Sequence, residues 1–76
     1  MIIACEFKAW QDVIECRRDL MDSDLTVRLY AITVDDDGDR EPKFFVDFVT
    51  DEESLDDVKH TIKYHRGIIG EQREPI

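Results

Sequence analysis

The chain has few of the residues that punctuate, staple or anchor a fold: three glycines, two prolines and two cysteines in 76 residues. Gly38, Gly67 and Gly70 stand in unrelated contexts, so no glycine-rich phosphate loop is present. Cys5 and Cys16 form neither a C-x-x-C pair nor a disulfide framework. If both lie on one helix, a rise of 1.5 Å per residue separates them by about 16 Å. A bridge needs Cα atoms within about 7 Å. Two reduced, half-buried thiols in a cytoplasmic protein are therefore expected. No apolar run approaches the ~18 residues of a membrane span. Residues 1–5 lack a basic n-region and the apolar start ends at Glu6, so neither a signal peptide nor a membrane partner is expected. Positive charge is scarce, with 10 Lys and Arg against 19 Asp and Glu and a formal net charge of -9. Phosphates repel such a surface, which excludes direct nucleic-acid binding through the backbone.

What is present describes one small domain, residues 1–76. A hydrophobic content of 42% is too high for a disordered acidic tail. Phe7, Trp10, Ile14 and Met21 recur at helical spacing, with Ala9, Val13, Cys16 and Leu20 as the adjoining stripe. Ile3 and Phe7 continue the first stripe backwards. No N-cap residue stands near Lys8. The reading is one helix from about residue 2 to 21, with a short strand at 2–5 as the alternative. The cluster Asp22-Ser23-Asp24 suits a turn.

Residues 25–34 and 43–50 alternate and are rich in β-branched and aromatic side chains, so both are strands. Asp37-Gly38 marks a hairpin turn between them. Thr50 with Glu53 fits a capping box for a helix carrying Leu55, Val58, Ile62 and His65 on one stripe. Lys63 and Arg66 suit its C-terminal end, and Gly67 suits the left-handed C′ position. Residues 68–69 fold back on the core, and 70–76 read as a frayed tail. The fold class is α+β: helix, antiparallel β-hairpin, helix, with an extra N-terminal strand as the variant. Phe45 and Val49, beside Asp47, fall on the hairpin face away from the helices.

The charge is concentrated. Residues 35–57 hold eleven acids against Arg40 and Lys43, which is -9, while residues 1–34 carry -2 and residues 58–76 carry +2. Helix capping accounts for residues 51–53. It does not account for four Asp around Gly38, whose mutual repulsion costs stability. The Asp run fails as an EF-hand loop, because Phe44 stands where the bidentate Glu is needed and Thr33 where the first ligand is needed. Clustered carboxylates attract hard cations only weakly, so no metal site and no cofactor is expected. His60 and His65 are five apart, not the four that aligns two imidazoles for zinc. Asp56 and His60 are spaced for a surface ion pair. No nucleophile signature surrounds Cys16, and so short a chain encloses no deep pocket easily, so no catalytic residue and no enzyme activity is expected.

Strand 25–34, the acidic turn 35–41, strand 44–49 and the acidic helix start 51–57 cover about half of the chain. In size, element order and charge they resemble small phage-encoded inhibitors of the anti-CRISPR type, which mimic DNA and occupy the basic channel of a nuclease. These inhibitors share no diagnostic motif, so the resemblance assigns no role to any single residue. Arg17-Arg18 and Lys59, Lys63 and Arg66 depart from a uniformly anionic mimic.

The resemblance and the charge map imply a non-enzymatic inhibitor that docks on a basic surface of a larger protein, such as a CRISPR effector in a host cytoplasm. The candidate partner-binding residues are Asp35, Asp36, Asp37, Asp39, Glu41, Glu52, Glu53, Asp56 and Asp57. A monomer is favoured. The alternative is an oligomeric structural or regulatory subunit held by Phe45, Val49 and an exposed strand edge.

Overall fold

The computed structural model describes residues 1–36, 38 and 41–74. The elements are β1 (Ile2–Phe7), α1 (Trp10–Met21), β2 (Val27–Asp35), β3 (Lys43–Thr50), α2 (Leu55–Tyr64) and β4 (Ile68–Arg73). Among the described residues the strands form one sheet in the order β2-β3-β1-β4, and every neighbouring pair is antiparallel. This β-α-β-β-α-β succession is the split βαβ, or ferredoxin-like, arrangement. The class is α+β, as expected, but the sheet has four strands rather than two.

The N-terminal strand bears out the alternative over the single helix, and β4 corrects the sequence reading. Residues 2–7 are not the start of the first helix; they form a central strand between β3 and β4. Ile3 and Phe7 are four apart, a spacing that serves a strand face as well as a helix face. Cys5 between them completes the strand alternation, and all three are buried. Helix α1 starts after Ala9 with no side-chain cap, so the missing cap residue did not argue against a boundary. Residues 70–73 are no frayed tail but belong to β4. Backbone pairing with β1 holds them, including Ile3 opposite Gln72 and Ile2 opposite Arg73.

The core lies between the sheet and one layer of two helices. Ile3, Cys5, Phe7, Val46 and Phe48 point from the sheet towards Val13, Cys16 and Leu20 of α1 and Val58 and Ile62 of α2. Burying each large aliphatic or aromatic side chain contributes about 1.5–3 kcal/mol. Phe7→Ala would cost about 3–5 kcal/mol through the cavity it leaves. On α1 the second stripe faces this core, whereas Trp10 and Met21 sit at its rim.

The ends of α2 also differ from expectation. Thr50 is not its N-cap; it closes β3, and its hydroxyl donates to the Thr26 carbonyl at 2.6 Å. Ser54 is the N-cap and its side chain makes no capping bond. Asp51 acts one turn earlier, its carboxylate accepting the Ser54 N–H at 2.8 Å and holding the turn 52–54 that leads into the helix. At the other end Arg66, not Gly67, is left-handed, with φ 66°. The Arg66 N–H reaches the Lys63 carbonyl at 3.0 Å and the Gly67 N–H reaches that of Ile62 at 2.8 Å. This is the two-bond Schellman pattern, with Gly67 one residue further along than expected.

Candidate acidic docking surface

Strand direction decides where the acids go. β3 runs from the hairpin turn to the start of α2, so the two halves of the 35–57 segment lie at its opposite ends. Eight residues at about 3.3 Å each put roughly 25 Å between them. The single continuous surface expected from the sequence is therefore two separate acidic ends.

At the hairpin end, Asp35 closes β2 opposite Lys43 and is exposed. Asp36 is exposed and accepts the Gly38 N–H at 3.2 Å, a local turn in which Gly38 adopts φ 82°. Glu41 is exposed ahead of β3. Asp37 and Asp39, and with them the centre of the Asp37-Gly38 turn, lie outside the described residues.

The other end gathers more charge than the sequence suggested. Glu52, Glu53, Asp56 and Asp57 are all exposed around the first turn of α2. The connection from α1 to β2 reaches the same place. The Thr26 N–H donates to Ser54 Oγ at 3.0 Å, and its carbonyl takes the Thr50 hydroxyl. Asp22 and Asp24, both exposed, lie in the connection that these bonds tie to the segment of Asp51, Glu52, Glu53, Asp56 and Asp57. Neither residues 22–27 nor residues 50–58 contain a Lys or Arg. The first-turn N–H groups of α2 point into this end and favour negative charge there.

Asp51 is the structural member of the group. Its carboxyl is held below the usual range mainly by the Ser54 N–H, with Ser54 Oγ and the Thr26 side chain adding to the effect.

The sheet face turned from the helices carries Phe45, Asp47 and Val49 of β3, as expected, together with Ala4, Glu6 and Ile68 from its neighbours. Phe45 is 39% exposed. Glu6 reaches the Lys43 ammonium at 3.7 Å, so charge interrupts the apolar surface.

The two thiols are buried and free. Cys5 sits on β1 and Cys16 on α1, so the helical separation drawn from the sequence does not apply. Burial pushes each up to about 12; Cys16 and Asp47 add to the rise at Cys5, and Asp19 adds to that at Cys16. Thiols held neutral in this way are poor nucleophiles. His60 is exposed, and the carboxylate contact belongs instead to His65, with Asp19. Among the described residues, no three His, Cys, Asp or Glu side chains group to hold a metal ion. Nor, among the described residues, is any helix long and apolar enough to cross a membrane.

Neither family models, nor curated proteins, nor solved structures yield a match to this chain.

Proposed function

We propose that the chain is a non-enzymatic binding protein that docks its acidic ends on a basic, phosphate-binding surface of a larger protein. The observation that carries this reading is the end formed by Asp22, Asp24, Asp51, Glu52, Glu53, Asp56 and Asp57, drawn from two segments without a base. Such a cluster raises the on-rate for a positively charged site and is complementary to one that normally holds phosphates. The hairpin acids Asp35, Asp36 and Glu41, about one strand length away, supply a second contact, to which Asp37 and Asp39 of the same segment add charge. In its most concrete form the protein is an inhibitor of a nucleic-acid-handling complex such as a CRISPR effector, as the resemblance to DNA-mimicking inhibitors implies.

The test is competition. The chain is immobilised, exposed to a lysate containing nucleases, and washed with short duplex DNA. The expected result is that captured proteins bind DNA and are released by the duplex. Captured proteins that resist duplex and salt alike would overturn the reading.

A further inference from the structure

Strand β2 is an edge of the sheet, exposed along most of its length, and an unpaired edge is a template for another strand. Its pairing with β3 shifts between Leu29 and Ala31, leaving Tyr30 as a bulged extra residue. The register on either side fixes the faces. Arg28, Ala31, Thr33 and Asp35 share the face turned from the helices, while Leu29, Ile32 and Val34 share the helix-covered face.

With Tyr30 set aside, this strand is its own antiparallel complement. Centred on Ile32, a reversed second copy places Arg28 opposite Asp35, Leu29 opposite Val34, Ala31 opposite Thr33, and Ile32 opposite itself. Every pair falls on a matching face. Arg28 is the only base and Asp35 the only acid in β2, so both ends of the seam are opposite-charge pairs, and the middle is apolar or small. Cross-strand pairs of these kinds are the favourable ones.

Exposed apolar surface collects along the same side. Tyr30 is 62% and Val34 54% exposed, and Trp10 and Met21 are each 46% exposed. Trp10, Ile14, Met21 and Ile32 line a groove of about 310 Å³ between α1 and this edge.

From this self-complementarity we infer that β2 is the interface of a two-fold dimer, in which two copies join their sheets edge to edge into one eight-stranded sheet. The symmetry is isologous: one patch serves both copies, and Ile32 lies on the axis. The interface rests on the strand register and not on the docking reading, although Asp35 belongs to both surfaces.

The test is a charge-reversal cycle read by analytical ultracentrifugation from micromolar to millimolar protein, with circular dichroism to confirm the fold. The wild type is expected to dimerise. Arg28→Asp and Asp35→Arg should each be monomeric over the range where the wild type is dimeric, because each sets like charges opposite one another. The double variant should dimerise again, although Asp35→Arg keeps its repulsion with Lys43 within each copy. A monomeric wild type, a dimer indifferent to the single reversals, or a folded double variant that stays monomeric would overturn the proposal. Cysteine trapping checks the register separately. Under mild oxidation Ile32→Cys should form an intermolecular disulfide, and Val34→Cys, four strand positions from its own copy in this register, should not. Equal cross-linking of the two would also overturn it.

Discussion

His65 Nε2 lies 2.5 Å from Asp19 Oδ2, joining the C-cap of α2 to the outer face of α1 across 46 residues of sequence. A carboxylate only accepts, so the imidazole Nε2–H donates. His65 is buried while Asp19 is largely exposed. The contact closes one wall of the groove between the helices, where Asp12 and Arg66 also approach to 3.8 Å. Asp19→Ala should leave a buried donor without its partner, at a cost of about 1–3 kcal/mol. His65→Ala should cost at least as much, because it also removes a buried ring and leaves its space unfilled. In a double-variant cycle followed by urea unfolding, the two losses should add to more than the loss in the double variant. Strict additivity would show that the contact contributes nothing.

Neighbouring positions after α2 should respond in opposite directions. Arg66 holds φ 66°, where a side chain is strained and glycine is not. Arg66→Gly should therefore stabilise by about 0.5–1 kcal/mol, less the small loss of its exposed pair with Asp12. Gly67 is needed for space instead. An added Cβ would sit 2.5 Å from Ile62 Cγ2, 2.8 Å from Phe7 Cζ and 2.9 Å from the Ile62 carbonyl oxygen. Gly67→Ala should destabilise by about 1–3 kcal/mol, as overpacking does. Urea midpoints of the two variants should move apart from the wild type in opposite senses.

Gly67 illustrates what the sequence made legible and what it did not. The end of α2 was visible in the run from Lys63 to Gly67, yet which residue turns left-handed depended on how closely Gly67 approaches Phe7, a contact 60 residues away. The strands at 27–35 and 43–50 were plain because each alternates on a half-buried face. The strand at 2–7 was not, since Ile3 and Phe7 fit periods of both 2 and 3.6. β4 has no pattern to read: an edge strand of Gly, Glu, Gln and Arg after Ile68-Ile69 is exposed on both faces and is defined by its backbone bonds to β1. The same omission hid the site. Once β1 is a strand, α1 must end beside the start of α2, which brings Asp22 and Asp24 to Asp51–Asp57 and separates both from the hairpin acids.

Asp51 should give the fold an acid-side dependence on pH. Its carboxyl is lowered in the folded chain, chiefly by the Ser54 N–H. The stabilisation is complete above the unfolded carboxyl pKa of about 4 and disappears as pH falls through the folded value. Asp51→Asn should be less stable than the wild type near neutrality, and the two should converge in strong acid. Parallel stability curves from pH 2 to pH 7 would show that the Asp51–Ser54 bond does not hold the turn before α2.

The thiols should act at the opposite extreme. Cys5 and Cys16 are raised to about 12 in the fold, first of all by burial. Their contribution is complete below the unfolded thiol pKa of about 8.5 and is lost as pH rises towards the folded values. The native protein should react slowly with an aromatic disulfide reagent at pH 8, and both thiols should react promptly in denaturant. Gly67→Ala should hasten native labelling, because labelling requires opening of the core. Fast modification of either thiol without unfolding would contradict the buried assignment.

Separating the acids into two ends makes the docking proposal divisible. One variant neutralises the α2 end with Asp22→Asn, Asp24→Asn, Glu52→Gln, Glu53→Gln, Asp56→Asn and Asp57→Asn, keeping Asp51 for its bond to Ser54. A second neutralises the hairpin end with Asp36→Asn, Asp37→Asn, Asp39→Asn and Glu41→Gln, leaving Asp35 to its place in β2. The first should lose some stability, since acids near the start of α2 interact favourably with its dipole at about 0.3–1 kcal/mol each. The second should hold or gain stability as repulsion is relieved. Against a protein captured in the competition experiment, each variant should associate more slowly and with a flatter dependence on salt, while dissociation changes less. The α2-end variant should show the larger effect, because it removes six charges against four. Exposed rim charges each contribute about 0–1 kcal/mol, so either loss should amount to a few kcal/mol at most. If both variants associate as fast as the wild type across the salt series, the acids serve solubility and the docking reading fails.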